Sequence, residues 1–513
     1  MSLAPRVLLV SLAPLALGAT AASLAAQTAT GNLRGYVNGP SGVAVGDVQV
    51  AARALDNNQQ RGTLTNASGF YYIGGLRPGR YEVSARRVGF TPVTRTVDLQ
   101  IGQTLDLTLP IVEAAVQLSA VQVTTSATGT TTRTSEVGSN VSRDQIRDLP
   151  NFERNVLDLA KLVPGITPSA VNSTDKTFAA GGQPPEAINV FVDGATYKND
   201  VLRGGVAGQD ASKGNPFPQG AIQEFRVLTQ NYKAEYQKAS SAIIVATTRS
   251  GTNEAEAEVF ANGVGRGYAA KDAFSSLKNL GRPDYKRLQA GGSYGGPLVR
   301  DRLFFFGTYE LNFRDEPAYV TLGTDAARAP AGLNPAQYTG QFVQEFREHL
   351  GLAKLTWNKS DKSTVDASVN IRHDADFRGF GGQTAYSGAE NLNVQVYTGV
   401  ANWKYAGDRW LNEAQLNAQT MTWNPTPLNG NTIGQNYFGI IRIGGKDTEQ
   451  DFKQNRLSLR DDVTRGGVQL GGDHVFKGGA SVDFLGYTGT KYTLTNPVFN
   501  YRSDENFSRP FEA

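Results

Sequence analysis

The stretch that decides the reading is EAINVFVDGATYKNDVL, residues 186–202, together with AIQEFRVLTQNYKAEYQKASSAIIVATTRSGTN, residues 221–253. Ile188–Val192 is β-branched and aromatic, and the Asp193-Gly194 pair that follows favours a tight hairpin. Residues 223–229 alternate, with Phe225 and Val227 on one face and Glu224, Arg226 and Leu228 on the other. Residues 241–248 form a third strand, closed by Ser250-Gly251-Thr252-Asn253. Short strands of this kind, joined by polar loops, predict a compact sheet.

Working outward, 513 residues are too many for one ordinary domain. With 50 basic and 47 acidic residues the net charge is +3, so there is no electrostatic case for nucleic acid. The 57 Gly, 24 Phe and 20 Tyr against 2 Met suit an all-β chain with many turns and aromatic belts. The absence of Cys excludes disulfides, thiol catalysis, cysteine-held metals and a lipoprotein anchor. Arg6 precedes an apolar run, 7–17, and small residues follow at Ala21, Ala22, Ala25 and Ala26. This predicts a secretory signal peptide over residues 1–26, cleaved after Ala25 or Ala26. The run is shorter than the roughly 20 residues a helical span needs, so any membrane crossing must come from strands.

Residues 31–113 predict a small β-sandwich, with seven short strands at 32–37, 47–52, 62–65, 71–73, 80–86, 93–99 and 104–109. Within them, GLRPGRYEVSARRVGF (75–90) and TLTNASGFYYI (63–73) resemble the carboxypeptidase regulatory-like domain, a transthyretin-like fold without peptidase chemistry. Asn66 stands where that family usually has Asp, which weakens any calcium ligand there.

Returning to the opening stretch, VFVDGA (190–195), IQEFRVLTQNYKAEYQ (222–237) and TTRSGTN (247–253) resemble, in order and spacing, the plug domain of TonB-dependent outer-membrane receptors, most nearly the Oar-like branch. Val192, Asp193, Gly194, Glu224, Phe225, Tyr236, Ser250 and Gly251 carry the match, which spans 133–253. Gln237 and Arg249 depart from the usual Gly and Lys. Ahead of it, residues 114–132 are linker-like. By its position before the plug, the β-prone segment with Leu118, Val121, Gln122, Val123 and Thr124 resembles a TonB box, a strand that pairs with a partner's sheet edge. The other reading is a last strand of the sandwich. Ser142-Arg-Asp-Gln145 is a capping-box pattern opening a short helix that Pro150 ends. Asn151 is expected to cap a second helix, with Val156, Leu157, Ala160 and Leu162 inward and Pro164-Gly165 as its stop. The Gly-rich stretch 199–220 predicts a functional loop.

From 255 to 513 the pattern changes to long alternating strands, as in Val365, Ala367, Val369 and Ile371 against Thr364, Asp366, Ser368, Asn370 and Arg372. Ala414, Leu416 and Ala418 alternate in the same way with Glu413, Gln415, Asn417 and Gln419. Sustained alternation predicts a transmembrane antiparallel β-barrel, with Trp357, Trp403, Trp410 and Trp423 as an aromatic girdle. Residues 314–348 are expected to be an extracellular loop, and 290–310 resemble the first barrel strands of the same receptors. About nine or ten strands can be counted, against the roughly 22 of the family barrel. The expectation is therefore the N-terminal portion of a longer barrel. The fold class is mainly β: a β-sandwich, a small α+β plug and a partial barrel.

No catalytic set stands out. Gly291-Gly292-Ser293-Tyr294-Gly295 matches a nucleophile elbow, but another strand follows it instead of a helix. His349, His373 and His474 lack paired ligand spacing, with His373 expected at a membrane interface. Asp374 and Asp376 are read as a solvated turn. The expectation is no enzyme, no cofactor and no metal. The resemblance implies an outer-membrane receptor that takes up an unidentified extracellular ligand, with TonB, ExbB and ExbD as energising partners and lipid around the barrel. An Oar-like adhesin and a SusC-type glycan importer are the alternatives. For ligand contacts the plug segments 198–220 and 180–186 come first.

Overall fold

The computed structural model describes residues 29–113, 136–168, 177–268 and 284–494, with shorter pieces at 270–271, 273–277, 282, 496–502, 507 and 510. The expected signal peptide and the TonB-box residues Leu118, Val121, Gln122, Val123 and Thr124 lie outside the described residues.

All seven expected sandwich strands form, the last of them split in two, giving two four-stranded sheets. One runs Phe70–Leu76, Gly31–Asn38 and Thr104–Asp106, with Leu109–Pro110 also on Gly31–Asn38. The other runs Gln60–Leu64, Gln49–Ala54, Gly79–Arg86 and Val93–Leu99. Alternate residues such as Leu33, Val50, Val83 and Leu99 fill the space between them. The buried Tyr71 keeps its hydroxyl satisfied by donating to the Leu107 carbonyl at 2.6 Å.

The plug is a five-stranded mixed sheet in the order Val137–Val141, Ile222–Gln230, Ala242–Thr248, Ile188–Val192 and Ala195–Thr196. Both faces are covered. Phe225, Val227, Ile244 and Val190 pack on the plug's own helices and on Phe306 and Leu352 of the barrel. Phe191, Leu228, Ile243 and Val245 pack on Ile101 of the sandwich. The helix Arg143–Asp148 carries the expected capping box between Ser142 and Gln145. The second helix differs from expectation. It is a 3₁₀ segment, Val156–Leu162, capped by Asn155, and Leu162 faces solvent while Leu159 is buried. Arg154 at φ 51° breaks the chain before it, so Asn151 cannot act as its cap.

Nine antiparallel strands then follow in strict sequence order: Glu256–Val264, Lys286–Val299, Leu303–Val320, Gly340–Ser360, Ser363–Arg378, Glu390–Ala406, Trp410–Pro427, Thr448–Gln469 and Asp473–Thr493. Most exceed by far the 9–11 residues a tilted strand needs to cross a bilayer. The third and fourth strands extend through much of 314–348, so the loop expected there shrinks to 321–339. Short turns at 300–302, 361–362, 407–409 and 470–472 mark the periplasmic rim, and long connections such as 379–389 and 428–447 the extracellular one.

Polarity is inverted relative to a soluble sheet. On the fifth strand Asp366, Asn370, Arg372, Asp374 and Asp376 are buried on the inner face, while Val369 and Ile371 are exposed on the outer. Buried charge inside and bare apolar surface outside are what a barrel wall needs when plug fills its lumen and lipid surrounds it. Trp357, Trp403 and Trp410 lie outward near the periplasmic rim, as a girdle should. Trp423 does not. It points inward and donates to the Asp210 carbonyl at 2.9 Å. Asp374 and Asp376 sit in a strand instead of a turn.

Candidate functional site: the plug held in the barrel wall

The Asp193-Gly194 turn is built as its residue types require. Both have positive φ, 49° and 84°, and Val192 pairs with Ala195 across the two-residue loop. A Cβ on Gly194 would lie 2.7 Å from the Gln415 amide of the wall. The Asp193 carboxylate accepts from the Thr248 backbone N–H at 2.9 Å and from Lys354 Nζ of the fourth barrel strand at 3.0 Å. Its carbonyl accepts from Asn402 and Gln415 at 3.2 and 2.9 Å. The tip of the plug is thus bound on several sides to the barrel.

The other motif residues also hold structure together. Val192 and Phe225 are core. Tyr236 rests beside Phe191, with ring centroids 6.1 Å apart. Ser250 accepts from Thr356 Oγ1 at 3.4 Å. Gly251 passes so close to the wall that a Cβ would lie 2.3 Å from the Phe305 carbonyl oxygen. Arg249 stacks over Phe306 at 4.8 Å and pairs with Glu256 at 3.1 Å, a combination that suits the planar guanidinium. Glu224 is buried where the plug meets the sandwich and accepts from the Ile101 N–H. Burial raises its carboxyl from the ordinary 4.5 to about 7, against the Ile101 hydrogen bond, with Asp98 adding to the rise.

Higher in the lumen, residues 198–220 are pinned to the wall. Arg372 donates to the Gly208 carbonyl at 3.0 Å and to Ser212 Oγ at 2.8 Å, and pairs with Asp374 at 2.5 Å. Glu310 accepts from Gly220 N–H at 2.7 Å and pairs with Arg154 at 3.1 Å. Lys213 pairs with Glu316 at 2.9 Å, and Arg456 with Asp200 at 2.5 Å. Most of this loop is therefore wall contact. The parts left open are Val201 and Arg203, with Glu186 and 181–184 beside them. Sequence reading put Asp366 and Arg372 on a polar strand face without giving them a role, and missed Lys354, Glu310 and Arg456. Their signal was a charge at the inward parity of a long strand.

Two further placements bear on chemistry. Gly291 to Gly295 lie in mid-strand within Lys286–Val299, with no turn into a helix. His349 and His373, distant in sequence, are register partners on neighbouring strands, with rings 6.4 Å apart and Tyr309 Oη 2.5 Å from His349 Nδ1. Among the described residues no group of three or more His, Cys, Asp or Glu is arranged to hold a metal ion. No described helix is long and apolar enough to cross a membrane. A cavity of about 990 Å³ opens where sandwich, plug and barrel meet at the periplasmic rim, with Arg77, Asp193, Glu224, Lys354 and Asp366 in its lining.

A sandwich, a plug sheet and an inverted-polarity wall define an outer-membrane β-barrel protein with a periplasmic accessory domain. Comparisons agree. Residues 32–112 match the carboxypeptidase regulatory-like domain, and 247–334 match the outer membrane beta barrel domain. The chain is similar to the TonB-dependent transporter Oar of Myxococcus xanthus, 24% identical over 405 residues, which is 73% of this chain and 36% of that protein. It thus spans about a third of the length of the curated relative it matches. Among solved structures it is similar to the outer membrane transporter YddB from Escherichia coli, at 12% identity and TM-score 0.46 over 69% of this chain and 54% of that one. It is also similar to the siderophore receptor PirA from Acinetobacter baumannii, at 14% identity and TM-score 0.48 over 67% and 47%. The curated relative is a TonB-dependent transporter, and the two solved structures are an outer membrane transporter and a siderophore receptor.

Proposed function

We propose that this chain acts as a TonB-dependent outer-membrane receptor, taking up an extracellular substrate with energy from the inner-membrane proton gradient. One observation carries the reading. A separate sheet, residues 137–248, fills the inner face of a wall whose outer face is apolar, and is held there by discrete ion pairs such as Lys354–Asp193. A plug attached through polar contacts can be rearranged locally without unfolding the barrel. In this proposal residues 1–26 are a cleaved signal peptide, 31–113 a periplasmic sandwich, 114–132 a linker with the TonB box, 133–253 the plug and 255–513 barrel. Val121 and Val123 lie in the strand offered to TonB, with ExbB and ExbD supplying the drive. Substrate would be met at Glu186 and Arg203, exposed charged residues beside the wall-pinned loop of the plug.

The test is a photo-crosslinker at Val121 or Val123 in cells with and without a proton gradient. The reading expects a TonB adduct that strengthens on energisation and on exposure to spent growth medium fractions containing substrate. No adduct at either site, in correctly inserted protein, sinks it and leaves an adhesin as the better account.

A further inference from the structure

The sandwich touches both of the other parts, and at the points that hold the plug. On one side the turn after Val93–Leu99 pushes Ile101, fully buried, onto the second face of the plug sheet among Phe191, Leu228, Ile243 and Val245. Polar contacts frame it: Arg226 donates to the Gly102 carbonyl at 2.9 Å, Asn140 donates to Gln100 at 3.0 Å, and the Ile101 N–H donates to Glu224. Without the sandwich that face of the sheet would stand open to water, and burying a side chain of this size contributes about 1.5–3 kcal/mol.

On the other side Arg77 reaches into the barrel and pairs with Asp366 on the inner wall. Thr356, the register partner of Asp366, donates to the same carboxylate at 2.7 Å. Lys354 lies two residues from Thr356 on the same strand face, so Lys354 and Asp366 are diagonal neighbours. Lys354 is the residue that grips Asp193 at the plug tip. Lys404, another cation near Asp366, lies 3.9 Å from its own acid, Glu413. Withdrawing Arg77 leaves Asp366 buried and short of a cation. It then competes with Asp193 for Lys354 and with Glu413 for Lys404.

We propose that the sandwich is a latch on the plug: its Ile101 and Arg77 contacts stabilise the resting plug, and its release precedes plug opening. The proposal rests on the transport reading only for what the release serves, because the coupling itself exists in the resting protein.

The chain has no native cysteine, which makes a thiol test clean. Asn58 of the sandwich donates to Asp301 of a periplasmic turn at 3.0 Å, and both are exposed. Asn58→Cys with Asp301→Cys, in the complete chain in outer membranes, is treated with a short bismaleimide. Hydrogen exchange is then followed in Ile188–Val192 and Ala242–Thr248, with the barrel strand Leu303–Val320, which carries none of the Arg77 partners, as the internal control of fold. The latch expects efficient crosslinking of the parent pair. Arg77→Met and Ile101→Ser should each lower the crosslink yield and raise exchange in the two plug strands about tenfold or more, with the control strand unchanged. Crosslinking an Ile101→Ser protein should restore part of the protection. Absence of the crosslink in inserted protein overturns the proposal. So does loss of the crosslink in both variants with plug exchange unaltered. Neither readout involves TonB, so failure of the latch and failure of the transport reading are told apart.

Discussion

Lys354 Nζ lies 3.0 Å from Asp193 Oδ2, and both side chains are almost completely withdrawn from water, at 6% and 7% exposure. The pair joins the fourth barrel strand to the tip of the plug hairpin. Removing one partner strands the other charge in a site of low polarity, which costs about 3–5 kcal/mol. Lys354→Met should therefore lower the urea midpoint of plug unfolding while the barrel stays folded. Adding Asp193→Asn should recover part of the loss, since the neutral pair leaves no buried charge. Plug unfolding followed by limited proteolysis checks both, and a double variant no better than the single one would argue against the pair.

The lipid face makes a separate prediction. Val369 is half exposed on the outer surface of the fifth strand, next to the inward Asn370. Val369→Arg should reduce the free energy of folding into lipid vesicles by about 2–4 kcal/mol if the position lies near the bilayer middle. Asp361→Arg, in the exposed turn between the fourth and fifth strands, should be close to neutral. Both variants introduce an arginine, one on the apolar outer face and one in the exposed turn. Equal effects on vesicle insertion would mean that the exposed apolar band does not face lipid.

Glu224 predicts a pH dependence for the contact between sandwich and plug. Its carboxyl is raised to about 7 by burial, so the docked state holds a proton that a free carboxyl would release at 4.5. The stabilisation this gives is fully present below about pH 4.5 and is lost as pH rises through about 7. Docking should strengthen on acidification across that window, on the order of a hundredfold or more, because each pKa unit is a factor of ten and the shift exceeds two units. Glu224→Gln should flatten the dependence while keeping an acceptor for the Ile101 N–H. The yield of the Asn58–Asp301 crosslink against pH is the measurement. A flat profile in the parent protein would show that Glu224 stays charged when docked.

Period-two alternation sufficed to place the barrel and its polarity, because each wall residue has only two faces to choose from. Trp423 shows what happens when parity is not counted. It shares the parity of Gln419 and Met421, which point inward, yet its place near a strand end reads as a girdle. The His349–His373 pair was invisible for a different reason: only register, set by turn lengths along two strands, brings them level. The motif residues were legible as a plug, but their sequence did not reveal that Asp193 answers to Lys354, more than 150 residues away. Asp374 and Asp376 looked like a turn because two acids flanking Ala suit one. Buried cations, Arg372 foremost, make them compatible with a strand.

Gly251 is the joint between plug and barrel, and its constraint is space. A Cβ there would lie 2.3 Å from the Phe305 carbonyl oxygen and 2.6 Å from that of Gly296, both backbone atoms of barrel strands that cannot swing away. Gly251→Ala must therefore push the 249–253 segment off the wall or distort the strands carrying Phe305 and Gly296, at about 1–3 kcal/mol. The displacement would also disturb Arg249, whose stacking on Phe306 and pairing with Glu256 depend on the same segment. Ser250→Ala loses only a 3.4 Å hydroxyl contact with Thr356 and should change little. The two neighbours thus separate backbone fit from side-chain bonding. Protease cleavage at Arg249, scored together with the fraction of heat-modifiable folded barrel, reads both. Cleavage should rise in Gly251→Ala and stay at the parent level in Ser250→Ala; equal cleavage in the two would mean that the wall yields to a Cβ at position 251.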